Sequence, residues 1–248
     1  MNEKIRIPTK EESIKIFKRF TLFSNVENHC VTVAAVASYL AKKVGGLNTD
    51  LIFAVALFHD LGKGLTIKEL EPEKYSFNPF SEEQKEIWKL QRSFFEPLKN
   101  LFSELETIKP GLNKTVHETD LASIIIGALF PDFVHYMHQI GGTNNQVYFE
   151  AGPEIKLAHY ADWIVHQSNL IDFNKRLDFL FEKYWKGQSD EEKSLRKQNE
   201  FALERELFEG LDINPNGLDL VEINKEKTEL FDGQYDYFEI KKIDEINI

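Results

Sequence analysis

Apolar residues along this chain recur mostly at helical spacing. In "NVENHCVTVAAVASYLAKKVGG", Val33, Val36, Ala37, Leu40 and Ala41 fall on one face, and Gly45-Gly46 ends the run. The next stretch, "NTDLIFAVALFHDLGKG", is apolar on nearly every side from Leu51 to Phe58, as expected of a helix at the centre of a core. Ahead of both, "PTKEESIKIFKRF" places Thr9 as an N-cap with Glu12 three positions on, the pattern of a capping box.

Further along, Pro, Glu and Lys between Leu65 and Phe80 predict a surface loop. "SEEQKEIWKLQRSFFEPLKNLFSEL" resumes a helical period with a bend at Pro97. "KTVHETDLASIIIGALF" and "PDFVHYMHQI" predict two more helices, the second started by Pro131 and closed by Gly141-Gly142. The polar "GTNNQVYFEAG" reads as a flap. "PEIKLAHYADWIVHQSNL", "DFNKRLDFLFEKYW" and "SDEEKSLRKQNEFALERELFEGL" each carry a periodic apolar stripe.

After Pro215 the pattern changes. "LDLVEIN" and "TELFDGQYDYFEIKKI" predict short strands, with Asp232-Gly233 as a hairpin turn. The expected fold class is therefore all-α: a helical bundle over residues 1–210 with a small C-terminal β appendage over 211–248.

Composition narrows the setting. A chain of 248 residues, 42% of them apolar, can bury about three quarters of its unfolded surface, so stability alone does not require a metal. The net charge of −11 opposes nonspecific attraction to a nucleic-acid backbone and favours a small-molecule substrate over a polymer. Cys30 is the only cysteine, which excludes an intrachain disulfide. "MNEKIRIPTKEES" lacks a signal pattern, and no apolar run reaches the roughly 18 residues of a membrane span; a soluble cytoplasmic protein is expected.

The candidate chemistry lies at helix ends. His29 stands near the start of one predicted helix and His59-Asp60 at the end of the next. Helices joined by a link as short as "GGLNTD" pack antiparallel, which brings these residues together. Imidazole and carboxylate together suit iron, manganese or zinc. A His-Asp dipeptide alone is close to chance, with ~0.4 expected for this composition, so the weight rests on the combination.

That combination resembles the HD-domain superfamily of metal-dependent phosphohydrolases. The matching residues are His29 in "NHCVTVAAVA", His59 and Asp60 in "ALFHDLGKG", and Asp162 in "LAHYADWIV". The small and apolar residues around each are part of the likeness, which covers roughly Pro8 to Leu180. The resemblance implies a metal site, and the subset with two further histidines implies a dinuclear one. His117 in "TVHETDLASIIIGALF" resembles the first of these. For the second, His135 and His138 share a helix face, and the Gly-Gly just after His138 favours it, leaving His135 beside the ligands or against substrate.

The resemblance thus implies His29, His59, Asp60, His117, His138 and Asp162 around two divalent ions, iron or manganese first, with zinc, nickel or cobalt as alternatives. Two metals about 3.5–4 Å apart, bridged by Asp60 and a water, would activate that water for in-line attack on phosphorus. Lys63 either neutralises phosphate charge or is a solvated loop lysine. His159 and His166, three before and four after Asp162, would share its helix face, either orienting it or filling the core.

The leading functional expectation is hydrolysis of a phosphate ester in a nucleotide or other small phosphorylated molecule. A mixed-valent di-iron oxygenase, a nucleotide-sensing module and a metal-dependent nuclease are the alternatives. "QIGGTNNQ" follows His138 where the cyclic-di-GMP phosphodiesterase branch carries an acidic residue and a Gly-Tyr-Pro signature, which argues against that substrate. Cys30 reads as a small core residue rather than a nucleophile. The aromatic tail "LFDGQYDYFEI" reads as packing rather than a base-stacking surface.

Overall fold

The computed structural model describes residues 5–20, 22–63, 118–140, 150–183 and 185–244, together with scattered positions between 82 and 97. The predicted "EPEKYSFNPF" loop, the "GTNNQVYF" part of the flap and His117 lie outside the described residues. The described positions between 82 and 97 are helical, in keeping with the periodicity there.

Helix α1 (Lys10–Phe17) begins with the expected capping box: the Thr9 hydroxyl accepts from the Glu12 amide, and the Glu12 carboxylate accepts from the Thr9 amide. Helix α2 (Ser24–Val44) is buried without interruption from Cys30 to Ala41, and α3 (Thr49–Phe58) from Leu51 to Phe58. Both are therefore enclosed on all sides over those stretches, as the near-continuous apolar run of α3 requires. Between them, Gly45 and Gly46 both adopt φ +72°, a left-handed conformation that glycine takes without a Cβ clash, and the Asn48 side chain caps α3 through the Leu51 amide.

Helices α4 (Glu118–Gly127) and α5 (Val134–Ile140) are separated by a short 3-10 turn at Pro131–Phe133. Phe133 meets Phe58 edge to face, with ring centroids 6.2 Å apart, and so ties this pair to α3. Helix α6 (Pro153–Trp163) packs against both α2 and α3. Helices α2 and α6 carry the candidate ligands His29 and Asp162, and α3 ends at His59.

Helix α6 stops at Trp163, short of the predicted end. The following residues turn back as an antiparallel pair of strands, β1 (Val165–His166) and β2 (Asn169–Ile171), with Val165 opposite Leu170. Consecutive β-branched residues at Ile164 and Val165 favour extended backbone there, and Gln167 makes the bend at φ +56°. His166 is thus on a strand and does not share the helix face of Asp162.

Beyond the hairpin lie α7 (Phe173–Lys183) and α8 (Asp190–Phe208). Helix α8 covers the outer face of α6: Tyr160 donates to Glu204 at 2.7 Å, and Lys156 donates to both carboxylate oxygens of Glu206 at 2.7 and 2.8 Å.

In the C-terminal segment, the expected strand "LDLVEIN" is instead the start of α9 (Leu220–Leu230). Asp219 caps it, accepting from the amides of Val221 and Glu222, and a capped start outweighs the weak β propensity of the stretch. Asp232-Gly233 ends this helix rather than turning a hairpin. Both residues have positive φ, and the Gly233 amide donates to the Thr228 carbonyl at 2.9 Å, the long bond of a Schellman motif.

The C-terminal strand content is β3 (Lys242–Ile243), which pairs parallel with β2 and completes a three-stranded sheet in the order β1-β2-β3. The fold is all-α with this small sheet beside it, as expected. Helix α9 lies along α2, joined by Lys42–Glu226 and Lys43–Glu222 ion pairs. No described helix is long and apolar enough to cross a membrane.

Candidate metal centre

His29 lies in the second turn of α2, His59 caps the end of α3, and Asp162 precedes the last residue of α6. Since His29 and His59 meet, the start of α2 adjoins the end of α3, the antiparallel arrangement the short link requires. Their Nε2 atoms are 3.2 Å apart, and Asp162 Oδ1 is 3.0 Å from His29 Nε2 and 3.3 Å from His59 Nε2. Each of the three residues offers one atom to a group spanning less than 4.8 Å.

Backbone carbonyls fix both imidazoles. His29 Nδ1 donates to the Gln167 carbonyl at 2.9 Å, and His59 Nδ1 donates to the Ala56 carbonyl at 2.7 Å. Because a carbonyl can only accept, Nδ1 bears the proton in each ring and Nε2 turns toward the centre. Two Nε2 atoms and a carboxylate oxygen facing one another at about 3 Å need a cation or a shared proton between them. This donor set therefore fits a divalent metal, with the carbonyls acting as the outer partners that orient ligating histidines.

The electrostatics point the same way. Burial, the largest influence on His59, lowers its pKa, but the Asp162 and Asp60 carboxylates outweigh it and push the imidazole up to about 9. Burial likewise works against ionisation of Asp162, yet His59 and His29 hold its carboxyl well below the usual range.

Asp60 stands slightly apart from the trio. Its Oδ2 is 4.0 Å from His29 Nε2 and 3.8 Å from His59 Nε2, while Lys63 Nζ donates to its Oδ1 at 3.4 Å. Burial opposes its charge, and Lys63, His59 and His29 together keep its pKa low. Asp60 is thus an anion at the edge of the centre, with one oxygen toward the histidines and the other toward the lysine.

The remaining sequence candidates are placed differently. His135 and His138 are exposed on α5, which packs against α6 and α3, and neither enters the cluster among the described residues. His135 Nε2 lies 2.9 Å from the Gln139 side-chain amide. His159 points from α6 to α8, where its Nε2 is 3.3 Å from both oxygens of the fully buried Glu200, so it joins helices rather than orienting Asp162. Cys30 is wholly buried, and burial pushes its thiol well up, which leaves it a core residue.

Sequence reading missed Gln167 and Ala56. Both act through backbone carbonyls, and such a role leaves no signature in residue type.

Fold and site together define a helical protein with a His-His-Asp centre suited to a divalent metal. Residues 26–130 match the family model of the HD domain, a family made up largely of metal-dependent hydrolases, and the His-His-Asp cluster is consistent with that likeness. The matched stretch contains His29, His59, Asp60 and His117, while Asp162 lies beyond it and is brought in by α6. Searches of the curated proteins and of the solved structures found no match.

Proposed function

We propose that this chain hydrolyses a phosphate ester of a nucleotide or another small phosphorylated molecule. The observation that carries the reading is the convergence of His29 Nε2, His59 Nε2 and Asp162 Oδ1 at the ends of three buried helices. A divalent metal bound there would supply a water acidic enough to ionise near neutral pH and a Lewis acid for phosphoryl oxygens. The protein's own part is to hold the site rigid: α2, α3 and α6 fix the ligands, and the Gln167 and Ala56 carbonyls fix the ring orientations.

Asp60 would complete the first site, His117 and His138 would hold a second ion, and His135 would lie against substrate. Lys63 places positive charge beside Asp60, where it can offset the charge of an incoming phosphate. Iron or manganese is the proposed metal. The net charge of −11 supports a small substrate over a polymer.

The test is metal analysis of protein purified without oxygen, followed by phosphate release from a panel of nucleotides and phosphate esters. Stoichiometric metal and turnover are expected, and Asp60→Ala should lose both. Full activity in that variant, or metal-free protein that hydrolyses the panel equally well, overturns the reading.

A further inference from the structure

The segment that follows α9 is fastened along its length yet leaves one aromatic ring outside. Buried Lys227 donates from Nζ to the Tyr235 carbonyl at 2.8 Å and to the Phe238 carbonyl. Asn224 holds the far end, accepting from the Ile240 amide and donating to the Ile240 carbonyl, each at 2.9 Å. Within this frame Tyr235 is buried and Phe238 is half-buried, the packing role expected of the aromatic tail. Tyr237 is the exception, at 66% exposed.

The exposed ring is nevertheless held in place. Its hydroxyl donates to Asn28 Oδ1 at 2.5 Å, and the rings of Tyr235 and Phe238 flank it with centroids 6.1 and 5.4 Å away. A phenol tied at its tip and flanked in this way has little rotamer freedom left to lose when a ligand meets it. Holding the ring in water forgoes the burial that its neighbour Tyr235 attains, so its position adds little to the core.

The anchors of this segment adjoin the candidate metal centre on both sides. Tyr235 donates to Glu27 at 2.7 Å and Tyr237 to Asn28, the two residues that precede His29 on α2. Four residues on, the Lys241 amide donates to the Asn169 side chain at 3.3 Å, and the Lys241 carbonyl accepts from Leu170 at 2.7 Å. Asn169 and Leu170 belong to the hairpin whose Gln167 carbonyl holds His29. Tyr237 is thus suspended between the two elements that position His29. We infer that Tyr237 is a substrate-binding residue, its ring stacking on the base of a nucleotide whose phosphate lies at the metal centre. The inference rests on the phosphohydrolase reading and narrows it from small phosphorylated molecules in general to nucleotides. An aromatic face receives any base, so the stack selects for the presence of a base and not for which one. Tyr237 lies beyond residues 26–130, so this selection comes from outside the stretch that matches the family model.

The experiment compares the non-cleavable methylene phosphonates of adenosine 5′-monophosphate and of ribose 5-phosphate, which share sugar and phosphoryl group and differ in the base. Affinities are measured by calorimetry on the full chain as purified, with metal content, melting temperature and phosphate release recorded on the same preparations. The wild type should bind the adenosine phosphonate about ten-fold more tightly than the ribose one. Tyr237→Ala and Tyr237→Leu should both erase that preference while metal content and melting temperature are retained. Tyr237→Trp should keep most of it, and Tyr237→Phe, which loses the tie to Asn28, part of it. A preference that survives in Tyr237→Ala, or in Tyr237→Leu where apolar area remains without a flat face, overturns the stack. No preference, or no binding, in the wild type does the same. Protein that holds metal and releases phosphate without the preference defeats the stack alone. Protein that holds no metal and releases no phosphate, yet shows the Tyr237-dependent preference, defeats the hydrolase reading and leaves a base-binding site.

Discussion

His29 and Gln167, separated by 138 residues of chain, are joined by a 2.9 Å hydrogen bond from imidazole Nδ1 to backbone carbonyl. Gln167 can offer that carbonyl only because its backbone turns at φ +56°, a region costing about 1–2 kcal/mol for a residue with an ordinary side chain. The bend is therefore part of the candidate metal centre. Gln167→Gly should keep or slightly raise stability and hold metal affinity within a few-fold. Gln167→Val, which resists positive φ, should weaken metal affinity by about ten-fold or more, the usual cost of losing an outer partner. Chelator competition and thermal melts check both, and wild-type affinity in the valine variant would refute the role of the bend.

Metal and proton should compete at His59. Without metal its folded pKa is about 9 against an unfolded value near 6.5. The stability gained from binding that proton is fully present below pH 6.5 and is lost as pH rises through 9. The melting temperature of metal-free protein should therefore fall over pH 6.5 to 9, and fall less steeply in Asp162→Asn, where the partner charge is gone. Metal uptake at pH 7 should release a proton, seen as a dependence of binding heat on buffer ionisation enthalpy. The same heat in all buffers would show that His59 is already neutral.

His166 should act in the opposite sense at acid pH. Burial, Arg176, His29 and Lys183 hold it at about 4. Between pH 6.5 and 4 the unfolded chain takes up a proton that the folded chain refuses, so stability is lost as pH falls through that window. His166→Asn should flatten the acid limb of a melting-temperature profile. An unchanged limb would mean that other groups control it.

The ligand-bearing helices were legible because their apolar period and caps agree with their burial: Leu51 to Phe58 is a continuous apolar run and is wholly buried. His29, His59 and Asp162 could be placed together because a short link forces antiparallel packing and because their surroundings match a known pattern. Asp232-Gly233 was less legible, since positive φ serves a helix C-cap as well as a hairpin turn and only the Gly233–Thr228 bond distinguishes them. The Ile164-Val165 break in α6 was hidden by a helical stripe that runs straight through it.

Helix α9 should be integral to the stability of the core. The Phe231 side chain is buried at its end, 5.9 Å from Phe53 of α3 and 5.1 Å from Tyr235 between ring centroids. Phe231→Ala should cost about 3–5 kcal/mol in denaturant unfolding, the usual range for removing a buried phenyl ring. A loss below about 1 kcal/mol would mean that the C-terminal segment folds apart from the helical body.

The proposed second metal separates His138 from His135. Both are exposed on α5, three residues apart, and α5 packs against the helices that carry Asp162 and His59. Residues at that spacing lie on neighbouring positions of one face, so a ligand and a substrate contact can sit side by side. His138→Ala should lower the metal content from two ions per chain to one. His135→Ala should keep both ions and raise KM more than it lowers kcat, as expected when a ground-state contact is removed. Loss of an ion only in His135→Ala would exchange the two roles, and two ions in both variants would remove α5 from the metal site.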